Sequence, residues 1–232
     1  MSLIDKLLKI AGKENFHLDS AIEKKYILRQ CWKYGLMIVR GKVFSLGYTR
    51  IAKNVFVGRN VRVIEKKKLT IGQKTKLQDG VYIDALSRDG VLIGDYVILG
   101  RNLRIECTGG LQAVGKGVRI GNRTSFGNDC SFGAAGGIEI GEDVVAGQYI
   151  RFHSENHNFS DLTKLIREQG VTHKGIKIGD NCWIGAGTVF LDGSELGKGC
   201  VVGANAVVTK RFPDNVVIAG IPAKIIGYRE GR

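Results

Sequence analysis

The chain is poor in the residues that covalent or metal-based architectures need. Of its 232 residues, two are proline, two tryptophan, four histidine and five cysteine. Two prolines argue against a proline-rich linker. The 33 glycines, with no three-residue period, exclude collagen and point to many tight corners. The cysteines (Cys31, Cys107, Cys130, Cys182, Cys200) are odd in number and form no CxxC pair, which argues against a disulfide framework or a zinc ribbon. Reduced thiols and a cytoplasmic location are therefore expected. No stretch approaches the apolar length of a membrane span, and Asp5, Lys6 and Lys9 break the short apolar run that a signal peptide would need. Acidic residues are also scarce, 22 against 35 basic, for a net charge of +13. Such a surface favours an anionic partner: nucleic acid, acidic lipid or a phosphorylated small molecule. The basic residues read as spread along the chain, with Lys66-Lys67-Lys68 the only run. No zinc-finger, RNA-binding or helix-turn-helix signature accompanies them, so no nucleic acid is expected.

What the chain does contain is a sixfold period. Ile178-Gly179, Ile184-Gly185, Phe190, Leu196-Gly197, Val202-Gly203 and Val208 follow at strict intervals of six. Neither a helix, with period 3.6, nor a lone strand, with period 2, produces this spacing. It marks a solenoid in which each short strand ends at a corner and three strands make one coil. Counted from Ile51, the inward positions fall into seven triplets: 51/57/63, 71/77/83, 93/99/105, 120/126/132, 140/146/152, 178/184/190 and 196/202/208. The extra residues between coils number 2, 4, 9, 2, 20 and 0, always after the third hexad. All insertions should thus leave one edge of a triangular prism. Cys182 and Cys200, one coil apart, should stack inside it.

Residues 1–45 do not follow the sixfold period. Leu3, Ile4, Leu7 and Leu8 form a helical stripe, and Ile22, Tyr26, Trp32 and Leu36 continue it after an Asp19-Ser20 cap. Two readings stay open for this segment: a cap on the solenoid's apolar end, or a basic amphipathic element that touches acidic lipid. The expected organisation is a helical segment 1–45, a β-helix 46–226 and a tail 227–232.

The longest insertion, 153–176, is polar and holds His153, His157 and His173; His17 lies far away in sequence. A loop of that length inside a compact domain is usually functional. No histidine recurs at one-coil spacing, so no metal site is expected, and proton exchange is the chemistry that suits these side chains near neutral pH.

The segments NHNFSD, IREQG, IKIGDNCWIGAGTVFLDG, LGKGCVVGANAVVTK and NVVIAGIPAKII resemble those of the hexapeptide-repeat acyltransferases. They are most similar to the maltose, galactoside and streptogramin acetyltransferases and to the O-acetyltransferases of surface-polysaccharide synthesis. The resemblance is concentrated in residues 140–226. It implies a left-handed parallel β-helix, a homotrimer with active sites between subunits, and acetyl-CoA as donor. It implies direct acetyl transfer to a sugar hydroxyl, in making lipopolysaccharide O-antigen or capsule, with no acyl-enzyme. By this resemblance Asn156-His157 is the catalytic pair, with His157 the general base. His153 is the runner-up and, with Asn128 and Trp183, a candidate on the acceptor side. Gly185 and Ala186 match the amides at the thioester, and Gly203 and Ala204 the pantetheine slot. Thr209, Lys210 and Lys224 match the CoA-phosphate positions. A lipid-linked acceptor at the inner membrane face is compatible with the basic N-terminal segment. Acetylation of an amino sugar, a small serine-like acceptor, and a non-enzymatic scaffold are the alternatives.

Overall fold

A computed structural model describes residue 19, residues 21–110 and residues 112–229. The stripe at Leu3–Leu8 and His17 lie outside these residues. The chain divides into two units, residues 1–36 and 37–232. The second holds the expected left-handed parallel β-helix.

The hexads build it as counted. The chain runs from sheet one (Phe56–Val57 and its successors) to sheet two (Arg62–Ile64 onward) and sheet three (Leu69–Ile71 onward), then returns to sheet one. Every coil pairs in parallel with the next: Ile71 lies beside Ile93, Leu77 beside Leu99 and Phe152 beside Phe190. Alternate residues of each short strand point inward, so most hexads bury the counted residue and the one two before it, as with Leu69 and Ile71 or Val91 and Ile93. Every assigned inward position is buried except Val63, which is half-buried because the first strand of sheet two is an open end. Insertions leave only the vertex between sheets two and three, the second vertex. Past Val208 the corner shortens by two residues, and Phe212 and Ile218 continue the core as a partial eighth coil. The strand Lys224–Tyr228 then folds back antiparallel on Val216–Ala219. The chain therefore stays in the sheet past 226, where a tail was expected.

Cys107, Cys130, Cys182 and Cys200 are buried core fillers. Burial pushes the Cys107 thiol up to about 12 and that of Cys130 up to about 11. Among the described residues no helix is long and apolar enough to cross a membrane.

Helix α1 (Lys24–Ser45) follows a turn in which Asp19 Oδ1 accepts the Ala21 amide at 2.9 Å. Met37, Gly41 and Ser45, one turn apart, are its buried residues. Gly41 has no room for a side chain, because a Cβ there would collide with the Val55 carbonyl. Lys66 donates to the Phe44 carbonyl and lies over the rings of Phe44, at 3.8 Å, and Tyr48, at 4.3 Å. A cation is favoured at a helix C-terminus and over an aromatic face, so Lys66 serves as a clamp. Burial lowers its pKa. Lys68 donates to the Ser87 carbonyl at 2.6 Å. Two of the three lysines in the basic run thus have partners within the fold.

Four phenylalanines fill the middle coils. Ring centroids are 5.1 Å apart for Phe126–Phe132, 4.6 Å for Phe132–Phe152 and 5.0 Å for Phe152–Phe190. The last pair joins the two coils between which the longest insertion departs. Phe152→Ala should therefore cost about 3–5 kcal/mol in urea unfolding, as expected for a large buried aromatic. A loss below about 1 kcal/mol would mean that this stack does not bridge the insertion.

Candidate active site

The long insertion, residues 154–175, is an arm with a fixed base. Buried Ser154 donates to the Gly133 carbonyl at 2.9 Å and accepts the Gly136 amide at 3.0 Å. At the return, buried Asp192 accepts the amides of Lys174, at 2.8 and 3.0 Å, and Gly175, at 2.8 Å. Between these anchors Asn156–His157 pairs antiparallel with Val171–Thr172. Gln169 closes the tip: it accepts the Asp161 amide at 3.0 Å and donates to the carbonyls of Asp161, at 2.8 Å, and Lys164, at 3.1 Å. Asp161 in turn binds the hydroxyl and amide of Thr163, which lower its pKa. Apolar side chains ride on the arm, among them Phe159 and the 97% exposed Leu162.

His157 is exposed on this hairpin, with no hydrogen bond to its ring among the described residues. His173 instead pairs with Glu155, Nε2 to Oε2 at 2.6 Å, and braces the two limbs. His153 ends a strand of sheet two, beside Gly133 and Leu191, with its side chain outward. The structure groups Asn156 with His157 and separates His153 from them by the anchor at Ser154. Among the described residues no group of three or more His, Cys, Asp or Glu is placed to hold a metal.

A second feature lies at the first vertex, between sheets one and two. Several corner amides are capped by a side chain of the next coil. Asp79 accepts from Arg59 N at 2.7 Å and Asn128 from Arg101 N at 2.9 Å. At the vertex between sheets three and one, Asp95, Asn122, Asp180 and Asp214 cap Gln73, Asp95, Glu142 and Lys198. In the last coils of the first vertex the capping residue is missing. Ala186 follows Gln148, Ala204 follows Ala186, and Gly220 follows Ala204. None of these has a side chain that can accept a hydrogen bond. The amides of Gln148, Ala186 and Ala204 have no protein partner among the described residues. Gly185 lets the two corners close on each other, because a Cβ there would strike the backbone of Ala204. The result is a column of outward N–H groups on a wall of small residues.

The remaining candidates distribute around this column. Asn128 is on the same vertex one coil before Gln148 and two before Ala186, with its side-chain oxygen already used as a cap. Trp183 is 60% exposed on sheet one, between Val145 and Val201. A groove of about 460 Å³ lies beside it, bordered also by Arg229. Thr209 and Lys210 are exposed at the second vertex, whereas Lys224 opens the C-terminal strand opposite Ala219, near the first. Within one copy the two lysines are therefore on different vertices. Glu155, Gln169 and Asp192 carry the arm yet were invisible to the hexad count, because their partners lie in the arm itself or one coil away.

Residues 175–210 match the family model described as bacterial transferase hexapeptide (six repeats). The chain is 31% identical over 132 residues to Rv3034c of Mycobacterium tuberculosis (strain ATCC 25618 / H37Rv), provisionally named an acetyltransferase; the match covers 57% of this chain and 44% of that one. It is 35% identical over 89 residues to the galactoside O-acetyltransferase of Lactococcus lactis subsp. lactis (strain IL1403), covering 38% and 42%. It is 31% identical over 124 residues to WbbJ of Escherichia coli (strain K12), whose name assigns it provisionally to lipopolysaccharide biosynthesis as an O-acetyl transferase, covering 50% and 63%. The chain thus spans about half the length of the curated relatives it matches. Among solved structures, a point mutant of AntD, an N-acyltransferase from Bacillus cereus in complex with dTDP-4-amino-4,6-dideoxyglucose and coenzyme A, shares the fold. Its TM-score is 0.55 at 16% identity, covering 83% of this chain and 90% of that one.

Asp192→Ala should free the base of the arm. Trypsin should then cut at Lys164, Arg167 or Lys174 faster than in the wild type, since three hydrogen bonds to backbone amides are lost. Unchanged cleavage would mean that Asp192 does not hold the arm.

Proposed function

We propose that the chain, whose residues 175–210 match the bacterial transferase hexapeptide model, transfers the acetyl group of acetyl-CoA to a hydroxyl of a sugar destined for surface polysaccharide. The observation that carries the proposal is an exposed histidine on an arm anchored at both ends, on a coil stack whose Ala186 and Ala204 corner amides carry no cap. A thioester carbonyl under attack develops negative charge on oxygen, and a fixed N–H aimed at that charge is worth most when it need not first give up another partner. The Ala186 N–H is such a donor. Neutral His157 takes the hydroxyl proton as the acceptor oxygen attacks the carbonyl carbon. The tetrahedral intermediate collapses with loss of the CoA thiolate, which takes up the proton from His157.

Topology supports an assembly of copies. The arm departs from the second vertex and the amide column lies on the first, so one copy holds the base and the oxyanion donor apart. In a homotrimer the arm of one copy reaches the column of its neighbour. The same arrangement suits Lys210 and Lys224, which can grip the CoA phosphates from two copies. The acceptor class draws on WbbJ and the galactoside O-acetyltransferase, and the donor on the coenzyme A bound to AntD.

Release of free thiol from acetyl-CoA in the presence of candidate sugars tests the reading. Hydroxylamine-labile product distinguishes an ester from the amide that an amino-sugar acceptor would give. His157→Ala should lower turnover by roughly 10²–10⁴ with CoA binding intact; if His173→Ala does so instead, the Glu155–His173 pair is the base. Ala204→Asp, which restores a cap over Ala186, should lower turnover by roughly 10²–10³ without loss of fold stability. Lys210→Ala with Lys224→Ala should weaken CoA more than dephospho-CoA. No thiol release with any acceptor, together with no CoA binding, would sink the enzymatic reading.

A further inference from the structure

The net charge of +13 is not spread along the chain, as it first reads. Residues 24–76 contain 15 lysines and arginines and a single acidic residue, Glu65, for a local charge of +14. Residues 77–232 hold 17 of each sign and are neutral, and residues 1–23 carry −1. The excess therefore belongs to helix α1 and the first coils. Lys42, Arg50, Lys53, Arg62 and Lys67 are all exposed there.

The same segment exposes apolar surface. Val39, Val43 and Leu46, the last just beyond the end of α1, are largely solvent-exposed. At roughly 100° per residue these three positions fall within an arc of about 60°. Lys42 flanks one side of that arc and Arg40 the other. Met37, Gly41 and Ser45, the buried residues, lie opposite. The helix contains no acidic residue.

We propose that the last turns of helix α1, from Met37 on, and the basic first coils form a docking surface for a bilayer of anionic phospholipid. An apolar stripe edged by long cationic side chains is the pattern of a helix lying in the membrane interface, where the stripe enters the acyl boundary and the cations stay at headgroup level. Clustered lysine and arginine add attraction to an anionic leaflet. Electrostatics alone would suit nucleic acid, and an apolar stripe alone would suit a second copy; their combination on one helix selects lipid. The proposal stands independently of the acetyl-transfer reading.

Flotation of the full chain with vesicles tests it. The protein should rise with vesicles of phosphatidylcholine and phosphatidylglycerol but not with phosphatidylcholine alone, and added salt should weaken the association. Val39→Ser with Val43→Ser, both at exposed positions, should lower partitioning at least about tenfold with the melting temperature unchanged. Arg40→Gln with Lys42→Gln should also lower it. Two outcomes overturn the proposal. Vesicle binding that the valine variant leaves intact, matched by equal binding to duplex DNA, would make the surface a general polyanion site. Failure to bind vesicles, with a changed sedimentation coefficient in the valine variant, would assign the stripe to contact between copies.

Discussion

Stacking of one coil on the next at strand spacing is the constraint on which everything else depends. Each coil's amides bond to the carbonyls of its neighbour, so residues at equivalent hexad positions must lie one above another. A choice made at one corner is thereby set against the same corner in adjacent coils. Asp or Asn there can close the amide of the coil before it; Ala or Gly cannot. The open amides at Gln148, Ala186 and Ala204 arise where Ala or Gly follows at the position that Asp79 and Asn128 hold in earlier coils. No backbone distortion is needed, and the donors sit on the most regular part of the fold.

The same constraint explains how a twenty-residue insertion is tolerated. The coils on either side of the arm remain in register, with Phe152 stacked on Phe190. Ser154 and Asp192 fix the two ends of the arm to the coils, and Gln169 fixes its tip. An exposed histidine on such an arm is held by its backbone rather than by a partner to its ring. That suits a base whose remaining contacts come from a substrate and a neighbouring copy.

Much of this was legible in the sequence, because a solenoid repeats its burial pattern at fixed spacing. Twenty of the 21 inward positions and the single edge of insertion follow from counting. Val63 departs because an end strand lacks a neighbour on one side, and Phe212 was passed over because its corner is two residues short. Other features depend on partners that no period reveals. Lys66 reads as part of a basic run until Phe44 and Tyr48 are seen beside it. Asn128 reads as an acceptor ligand until its oxygen is found on the Arg101 amide. The uncapped amides were the least visible, since they are defined by side chains that are missing one coil away. Charge placement was open to counting, but a total over the whole chain conceals that residues 77–232 are neutral.

The central claim is that the base and the oxyanion donor of each site come from different copies. Mixing His157→Ala and Ala204→Asp subunits, each inactive alone, tests it most directly. After co-refolding into mixed trimers, about a quarter of the sites should pair an intact arm with an intact column, with turnover recovering to about that fraction of wild type. No recovery in assemblies shown to contain both subunits would contradict the account and return both groups to a single copy.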